Sequence, residues 1–142
     1  MNRRSFCFVS GGAMLAAAPS DSISLGVIGA GGRGTLVMST FQKNPGLRVS
    51  AVCDVYEPNL ERGLSTAAKA QGSAPKAYRN YKQLLGDKTI DAVLIATPEH
   101  WHAQMVLDAI AAGKDVYVEK PLCHTPEEGV ALVNAERNTK QV

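Results

Sequence analysis

Three glycines and one aspartate are the residues whose spacing predicts chemistry most clearly. Gly29, Gly31 and Gly34 form a G-x-G-x-x-G pattern inside GVIGAGGRG (26–34), and Asp54 follows Gly34 by twenty residues. Glycine permits a tight turn, leaves the backbone open to a pyrophosphate and lets the following helix pack closely on a strand. An acid at this distance accepts hydrogen bonds from ribose hydroxyls. The pattern predicts a dinucleotide site, and its alternative is a glycine-rich loop near an unrelated surface acid.

The charges near these glycines bear on which dinucleotide would bind. A carboxylate at Asp54 repels a 2′-phosphate, so the sequence favours NAD over NADP. Arg33 lies inside the glycine stretch, and a guanidinium there could neutralise that phosphate. NAD is therefore the predicted cofactor, with NADP open as the alternative.

A second polar cluster, ATPEHWHA (96–103), follows the apolar run IDAVLIAT (90–97). Open α/β sheets bind ligands at the carboxyl ends of their strands, so this cluster lies where a ligand is expected. His100 and His102 are two residues apart, which on a helix points their side chains to nearly opposite sides. The sequence therefore predicts no metal site. Trp101 is expected to pack, and the alternative is a stacking surface for a ligand.

The third cluster is VEKPL (118–122), where Glu119 and Lys120 end another apolar run. An ammonium at this edge could donate a hydrogen bond to a substrate hydroxyl or to the nicotinamide amide. The alternative is a pair of charges at a strand end, held in solvent.

The elements that position these clusters alternate along the chain. Short apolar or β-branched runs that stop at glycine, acid or proline predict strands, and Ala-rich or amphipathic stretches with glycine or Thr–Glu caps predict helices. Strands are predicted at 23–29, 47–54, 76–80, 90–97 and 115–120, and helices at 32–43, 58–72, 81–87, 99–113 and 125–138. This order predicts an α/β fold with a doubly wound parallel sheet, as in Rossmann domains.

The composition narrows the class of protein. The chain has 142 residues, 45% hydrophobic and 20% charged, with a formal net charge of +2. The sequence has no concentrated basic run, which argues against a nucleic-acid partner. No apolar run reaches the roughly 18 residues of a membrane span. The three cysteines show no C-x-x-C spacing, so no disulfide framework is expected.

The first 22 residues are predicted to be an export signal rather than part of the fold. Arg3 and Arg4 precede Phe6 and an uncharged stretch rich in small residues, which ends at Ala18. This order is typical of an export signal, and Arg-Arg-Ser-Phe resembles the twin-arginine type. We therefore expect a periplasmic or otherwise exported protein. The alternative is an N-terminal tail without a targeting role.

The motifs together resemble the Gfo/Idh/MocA oxidoreductases. The resemblance covers about residues 23–142, in the order G-x-G-x-x-G, strand-end Asp, Thr-Pro-x-x-x-His, Ala-Gly-Lys and Glu-Lys-Pro. It implies that the three glycines bind pyrophosphate, that Asp54 meets the ribose and that Lys120 contacts cofactor and substrate as the catalytic lysine. The implied cofactor-binding residues are Gly29, Gly31, Arg33, Gly34, Asp54, Thr97, Pro98, Glu119 and Lys120, and His102 is a second catalytic candidate on the nicotinamide side.

The resemblance also implies what the chain lacks. Many members have Asn where Glu99 stands, and members continue into a second α/β domain that supplies acid–base residues. We therefore expect 23–142 to be an incomplete dinucleotide-binding domain with five strands, a cis Lys120–Pro121 bond and no activity alone. The implied substrate is a sugar, a polyol or a related hydroxy compound, and the implied full-length protein is a homo-oligomer.

Two alternatives to a sugar or polyol oxidoreductase stay open. Some exported relatives are NAD-dependent glycosidases. The resemblance implies that these replace the lysine of Glu-Lys-Pro, so Lys120 favours the oxidoreductase. The other alternative is a nucleotide-binding fragment without catalysis.

Overall fold

The structure, a computed structural model, describes residues 22–142. The predicted export segment, with Arg3, Arg4 and Phe6, lies outside the described residues except for its last residue, Ser22. All ten predicted elements are present in the described part, with ends shifted by one to three residues in most cases. The strands are β1 Ile23–Ile28, β2 Leu47–Cys53, β3 Lys76–Tyr78, β4 Ala92–Ile95 and β5 Asp115–Val118, and the helices are α1 Gly32–Phe41, α2 Glu57–Gln71, α3 Tyr81–Leu85, α4 His102–Ala111 and α5 Pro126–Arg137.

The strands form a parallel sheet in the order β3-β2-β1-β4-β5. The order reverses between β1 and β4, so the chain moves outward from β1 first to one side and then to the other. The predicted doubly wound α/β fold is confirmed. In such a sheet the crevice at the reversal, beyond the carboxyl ends of β1 and β4, is the expected ligand site.

The core lies on both faces of the sheet. One face packs α1 and α2 against side chains that include Val27, Val49 and Leu94. The other face packs α3, α4 and α5 against side chains that include Ile28 and Ile95. The side chains of successive residues of β1 and β4 thus pack on opposite faces of the sheet. Burial on both faces explains why the sequences of these strands are continuous apolar runs.

Two of the shifted element boundaries have a cause in the hydrogen bonding. β4 begins at Ala92 rather than Ile90, because the Ile90 amide donates to the Asp87 carbonyl and the Ile90 carbonyl accepts from the buried Lys114 ammonium. The helix predicted from residue 99 opens as a 3₁₀ turn, Glu99–Trp101, in which the Trp101 amide donates to the Pro98 carbonyl. The regular α4 therefore begins only at His102.

The outer edge of β5 borders an apolar groove. The Val116 amide donates to the Val142 carbonyl at 2.8 Å, so the last residue already lies beside this strand. The groove, of about 270 Å³, is lined mainly by aliphatic side chains of β5, α4 and α5. No helix within residues 22–142 is long and apolar enough to cross a membrane.

Candidate dinucleotide-binding site

A pocket of about 830 Å³ opens at the carboxyl ends of β1, β2 and β4. Its walls come from the glycine turn, the start of α2, the segment after β3 and the turn after β4. The lining residues are Ile28, Gly29, Gly31, Gly32, Arg33, Cys53, Asp54, Val55, Tyr56, Asn59, Arg79, Asn80, Tyr81, Ala96, Thr97, Pro98, Trp101 and Met105. Six of the residues predicted from the sequence are among them: Gly29, Gly31, Arg33, Asp54, Thr97 and Pro98.

The three motif glycines have three different reasons to be glycine. Gly29 has φ +90°, and a Cβ there would lie 2.7 Å from the Ala96 carbonyl oxygen. A Cβ on Gly34 would lie 1.9 Å from the Gly29 carbonyl oxygen, so α1 could not pack this closely on β1 with any side chain there. A Cβ on Gly31 would approach only the Asn59 amide nitrogen, at 3.8 Å. The fold therefore has room for a side chain at Gly31, and glycine there keeps the pocket open.

Asp54 is half-buried at the end of β2 and faces the glycine turn. One carboxylate oxygen accepts a hydrogen bond from the Ala30 amide at 2.8 Å, and the other accepts from the Tyr56 amide at 2.9 Å. Each oxygen keeps a further acceptor site for a ligand hydroxyl. The carboxylate thus joins the turn predicted to hold phosphate to the position predicted to hold ribose.

Arg33 points away from Asp54. Its Nε donates to the Glu119 carboxylate at 2.8 Å, beyond the end of β5. β2 and β5 are three strands apart, roughly 14 Å at about 4.8 Å per strand. The hydrogen bond from Arg33 is the main reason why the pKa of the buried Glu119 carboxyl lies below its usual value. In this structure the guanidinium is bonded to Glu119 and not directed to the ribose end of the pocket.

The other predicted residues, Gly34, His102, Glu119 and Lys120, are not among the lining residues. Lys120 is exposed after β5, and its peptide bond to Pro121 is cis, as the resemblance implied. His102 is only 1% exposed. Its Nδ1 lies 2.7 Å from the Pro121 carbonyl oxygen and its Nε2 lies 2.9 Å from the Thr97 carbonyl oxygen. The roles predicted for Lys120 and His102 remain predictions.

Trp101 is placed differently from what the sequence suggested. Trp101 is 45% exposed and lines the pocket, which favours a ligand-facing surface over packing. His124 is remote from Glu99 in sequence, yet its Nε2 lies 3.4 Å from the Glu99 carboxylate. Within residues 22–142 no group of three or more His, Cys, Asp or Glu side chains could hold a metal ion.

Sequence reasoning missed the pocket wall contributed by α2 and the segment after β3. Arg79 makes two hydrogen bonds to the Glu57 carboxylate, at 2.8 and 2.9 Å, and both residues are exposed. Tyr56, directly before α2, and Asn59, in its first turn, also line the pocket. No motif marks these positions, and only their place after β2 and β3 could have suggested them.

The arrangement fits a dinucleotide. The Gly31 side of the turn is open where a side chain would intrude, and α1 begins there without an acidic residue in its first turn. Free amides at a helix start favour phosphate. The Asp54 carboxylate offers acceptors for hydroxyl groups. The fold and the site together define an NAD-binding Rossmann domain.

The chain belongs to the Gfo/Idh/MocA family. The family's sequence model, described as "Oxidoreductase family, NAD-binding Rossmann fold", matches residues 23–142. Two relatives come from Shewanella. A glycosyl hydrolase family 109 protein of strain W3-18-1 is 33% identical over 131 residues, and an alpha-N-acetylgalactosaminidase of Shewanella oneidensis is 31% identical over 131 residues. Each alignment covers 89% of this chain and 28% of the relative.

Solved structures agree with the fold. Myo-inositol dehydrogenase from Lactobacillus casei, solved with NAD(H) and myo-inositol, matches 84% of this chain and 34% of its own, with 29% identity and a TM-score of 0.74. A 3-ketoreductase from Actinomadura kijaniata, solved with TDP-benzene and NADP, matches 85% of this chain and 37% of its own, with 23% identity and a TM-score of 0.76. The second likeness concerns the fold alone. The chain thus spans about a third of these solved proteins, and 28% of the curated relatives.

Proposed function

We propose that this chain is the cofactor-binding part of an exported oxidoreductase that acts on a sugar, a polyol or a related hydroxy compound. The observation that carries the proposal is the pairing of the open Gly31 turn with the Asp54 carboxylate in one pocket. When bound, nicotinamide supplies hydride transfer to or from a carbinol carbon. The protein's own task is to bind and orient the cofactor and the substrate and to exclude water.

The residues divide this task by position. Gly29, Gly31 and Gly34 shape the turn that receives the pyrophosphate, and Asp54 accepts hydrogen bonds from the adenosine ribose. Thr97 and Pro98 border the nicotinamide end, at the carboxyl end of β4. Glu119 holds Arg33 beside that end, and Lys120 follows Glu119.

NAD is the proposed cofactor rather than NADP. Asp54 would repel a 2′-phosphate, and Arg33 is engaged by Glu119 on the far side of β1 and β4. Arg79 is the other arginine of the pocket lining, and it is paired with Glu57. An NADP-binding site would need one of these cations released toward the ribose.

Lys120 alone does not supply catalysis. Its side chain is exposed, and acid–base catalysis needs a group held within hydrogen-bond reach of the substrate proton. We propose that residues 23–142 form an incomplete domain whose partner domain supplies the acid–base group. The chain should then bind NAD without turning over a sugar.

A second candidate function is an NAD-dependent glycosidase. The two Shewanella relatives, with names that denote glycoside hydrolysis, support it. Lys120 stands against it, since the resemblance implies another residue at this position in such glycosidases. Incubating the full gene product with aryl glycosides and with free sugars decides between them. Release of the aryl group without net NADH favours the glycosidase, and NADH accumulation favours the dehydrogenase.

The 142-residue chain tests the division of labour directly. Purified chain is incubated with NAD and a panel of sugars and polyols, and NADH absorbance is followed. We expect binding without turnover. Turnover that disappears in Lys120→Ala would show that this chain suffices and would overturn the proposal of an incomplete site.

The genomic sequence beyond Val142 distinguishes the third candidate, a fragment without catalysis, from the two enzymes. A second α/β domain in frame supports the enzyme, and a stop codon favours the fragment. Export through the twin-arginine route and homo-oligomerisation of the full-length protein are part of the same proposal. The twin-arginine residues and the family resemblance support them.

A further inference from the structure

The buried ring of His102 joins two parts of the backbone. It is 1% exposed, and each ring nitrogen lies within hydrogen-bond distance of a carbonyl oxygen. One carbonyl belongs to Thr97, in the turn after β4. The other belongs to Pro121, directly after Lys120. The ring is therefore a bridge between the two segments that border the nicotinamide end of the site.

The chemistry of the two partners restricts the state of the ring. A carbonyl oxygen accepts hydrogen bonds and cannot donate. A neutral imidazole donates from one nitrogen and presents a lone pair on the other, which would face a carbonyl oxygen without a proton between them. Only the imidazolium donates to both. The contacts at 2.7 and 2.9 Å are satisfied together only when both nitrogens carry protons.

The charged groups near the ring include one buried carboxylate, Glu119. Its pKa is lowered mainly by the hydrogen bond from Arg33, and the charge of Lys120 adds a smaller effect. The segment after β5 thus brings one anion, Glu119, and one cation, Lys120, and Arg33 from α1 is bound to that anion. At the start of α4, Glu99 is paired with His124 rather than with His102.

We propose that His102 is a positioning residue that, with both ring nitrogens protonated, fixes the backbone at Thr97 and Pro121 and so holds Lys120 at the nicotinamide end of the site. The proposal rests on the proposed function for the position of nicotinamide. The bridge itself does not depend on that function. It assigns His102 a role through Lys120 rather than a contact with the reacting atoms.

The ring can be examined directly by nuclear magnetic resonance. The chain is labelled with ¹⁵N-histidine, and His102 is assigned by comparison with His102→Gln. At about neutral pH we expect two ring N–H resonances from His102, protected from exchange because the ring is buried. His100 and His124, which are exposed, should show none. A single N–H resonance from His102 would mean a neutral ring and would overturn the proposal.

The effect on the site is measured with two ligands. ADP-ribose lacks the nicotinamide, so comparing it with NAD isolates the nicotinamide end. We expect His102→Gln to weaken NAD by about tenfold, the scale of a lost charge-assisted hydrogen bond, and to leave ADP-ribose within about twofold. His100→Gln, two residues away and exposed, is the matched control and should change neither. Equal losses for both ligands would indicate a general structural role and would contradict the proposal.

A double variant tests whether His102 acts through Lys120. If it does, His102→Gln should weaken NAD little further once Lys120 is Ala, because the two changes remove the same interaction. Independent losses that add would overturn the proposal. Wild-type chain that is folded but binds neither ligand would instead refute the proposed function, and the resonances of His102 would still decide whether the bridge exists.

Discussion

The Asp54 carboxylate accepts a hydrogen bond from the Ala30 amide at 2.8 Å, across the opening of the glycine turn. The residue predicted to select the ribose therefore also fixes the loop predicted to receive the phosphates. Because its second oxygen accepts from Tyr56 at 2.9 Å, Asp54 holds the start of α2 as well. Changes at Asp54 should be visible in both the affinity and the choice of cofactor.

Asp54→Asn keeps the size of the side chain and removes its charge. We expect NAD affinity to fall about tenfold to a hundredfold, because a hydrogen bond to a charged group contributes about 1.5–3 kcal/mol. NADP should lose less, since the repulsion of its 2′-phosphate is relieved. Asp54→Ala should weaken NAD further, because the bonds to Ala30 and Tyr56 are lost too. Isothermal titration with both dinucleotides measures these changes.

The control is Asp91→Asn at the opposite edge of the sheet. Asp91 also accepts a backbone hydrogen bond, from the Ser24 amide at 2.8 Å, but it lies outside the pocket lining. It should leave both affinities unchanged. An Asp54 variant that binds NAD as well as the wild type would refute the assignment of Asp54 to the ribose.

Gly31→Ala separates folding from binding. The added Cβ has room within the fold, with its nearest neighbour at 3.8 Å, but it would occupy the open side of the turn. We expect a midpoint of thermal unfolding within a few degrees of the wild type and NAD affinity reduced by about tenfold or more. Gly86→Ala, which meets only ordinary contacts at 3.5 Å outside the pocket, is the matched control.

Gly34→Ala should behave in the opposite way. Its Cβ would lie 1.9 Å from the Gly29 carbonyl oxygen, so α1 must move and the fold itself should be destabilised, by several kcal/mol on the scale of overpacked cores. Chemical denaturation measures this. A Gly34→Ala chain as stable as the Gly31→Ala chain would contradict the packing described for the turn.

The pair between Arg33 and Glu119 predicts a dependence of stability on pH. The pKa of Glu119 is lower in the folded chain than its ordinary value, mainly through the hydrogen bond from Arg33. Such a group stabilises the fold above its unfolded pKa, about 4.3, and this stabilisation is lost as the pH falls through the lower folded pKa. Arg33→Gln should therefore reduce the free energy of unfolding at pH 7, and the gap from the wild type should shrink as the pH falls through the lowered folded pKa of Glu119.

Urea titrations of both chains at several pH values measure this gap. Arg79→Gln, which breaks the exposed pair with Glu57, is the control and should lower stability little at any pH. A gap between the wild type and Arg33→Gln that stays constant from pH 7 to pH 3 would show that the loss does not come from the charge of Glu119.

Export is tested by replacing Arg3 and Arg4 together with Lys. The twin-arginine route carries folded proteins, which suits a domain that takes up its dinucleotide before export. We expect the double variant to stay unprocessed inside the cell, as measured by fractionation and the size of the chain. Asn2→Gln, which leaves the arginine pair intact, is the control. A double variant that is still exported and processed would show that the assignment is wrong.

Much of the fold follows from local patterns in the sequence. Apolar runs that stop at glycine, acid or proline indicated β1, β2 and β4, because a strand buried on both faces must be apolar throughout. The capping box of Thr125 and Glu128 was predicted and is present, because both partners lie within one turn of helix. The late start of β4 was missed, since it depends on Lys114, twenty-four residues away from Ile90.

The site was predictable only where its parts are close in sequence or follow directly from strand ends. The glycines and Asp54 meet because their strands are neighbours in the sheet. The pair of Arg33 with Glu119 joins residues 86 positions apart, and it engages an arginine that the sequence left open as a partner for a 2′-phosphate. The bridge made by His102 was likewise invisible, since both of its partners are backbone carbonyls and no residue type marks them.

The most direct test of the account is a calorimetric titration of the folded 142-residue chain with NAD and, separately, with NADP. The account predicts binding of NAD at one site, about tenfold tighter than NADP, since one charge-assisted hydrogen bond to the ribose is worth about that factor. The difference should be reduced in Asp54→Asn. Tighter binding of NADP would show that Arg33 or Arg79 is released to hold the 2′-phosphate. A folded chain that binds neither dinucleotide would contradict the central claim that this pocket is a dinucleotide site.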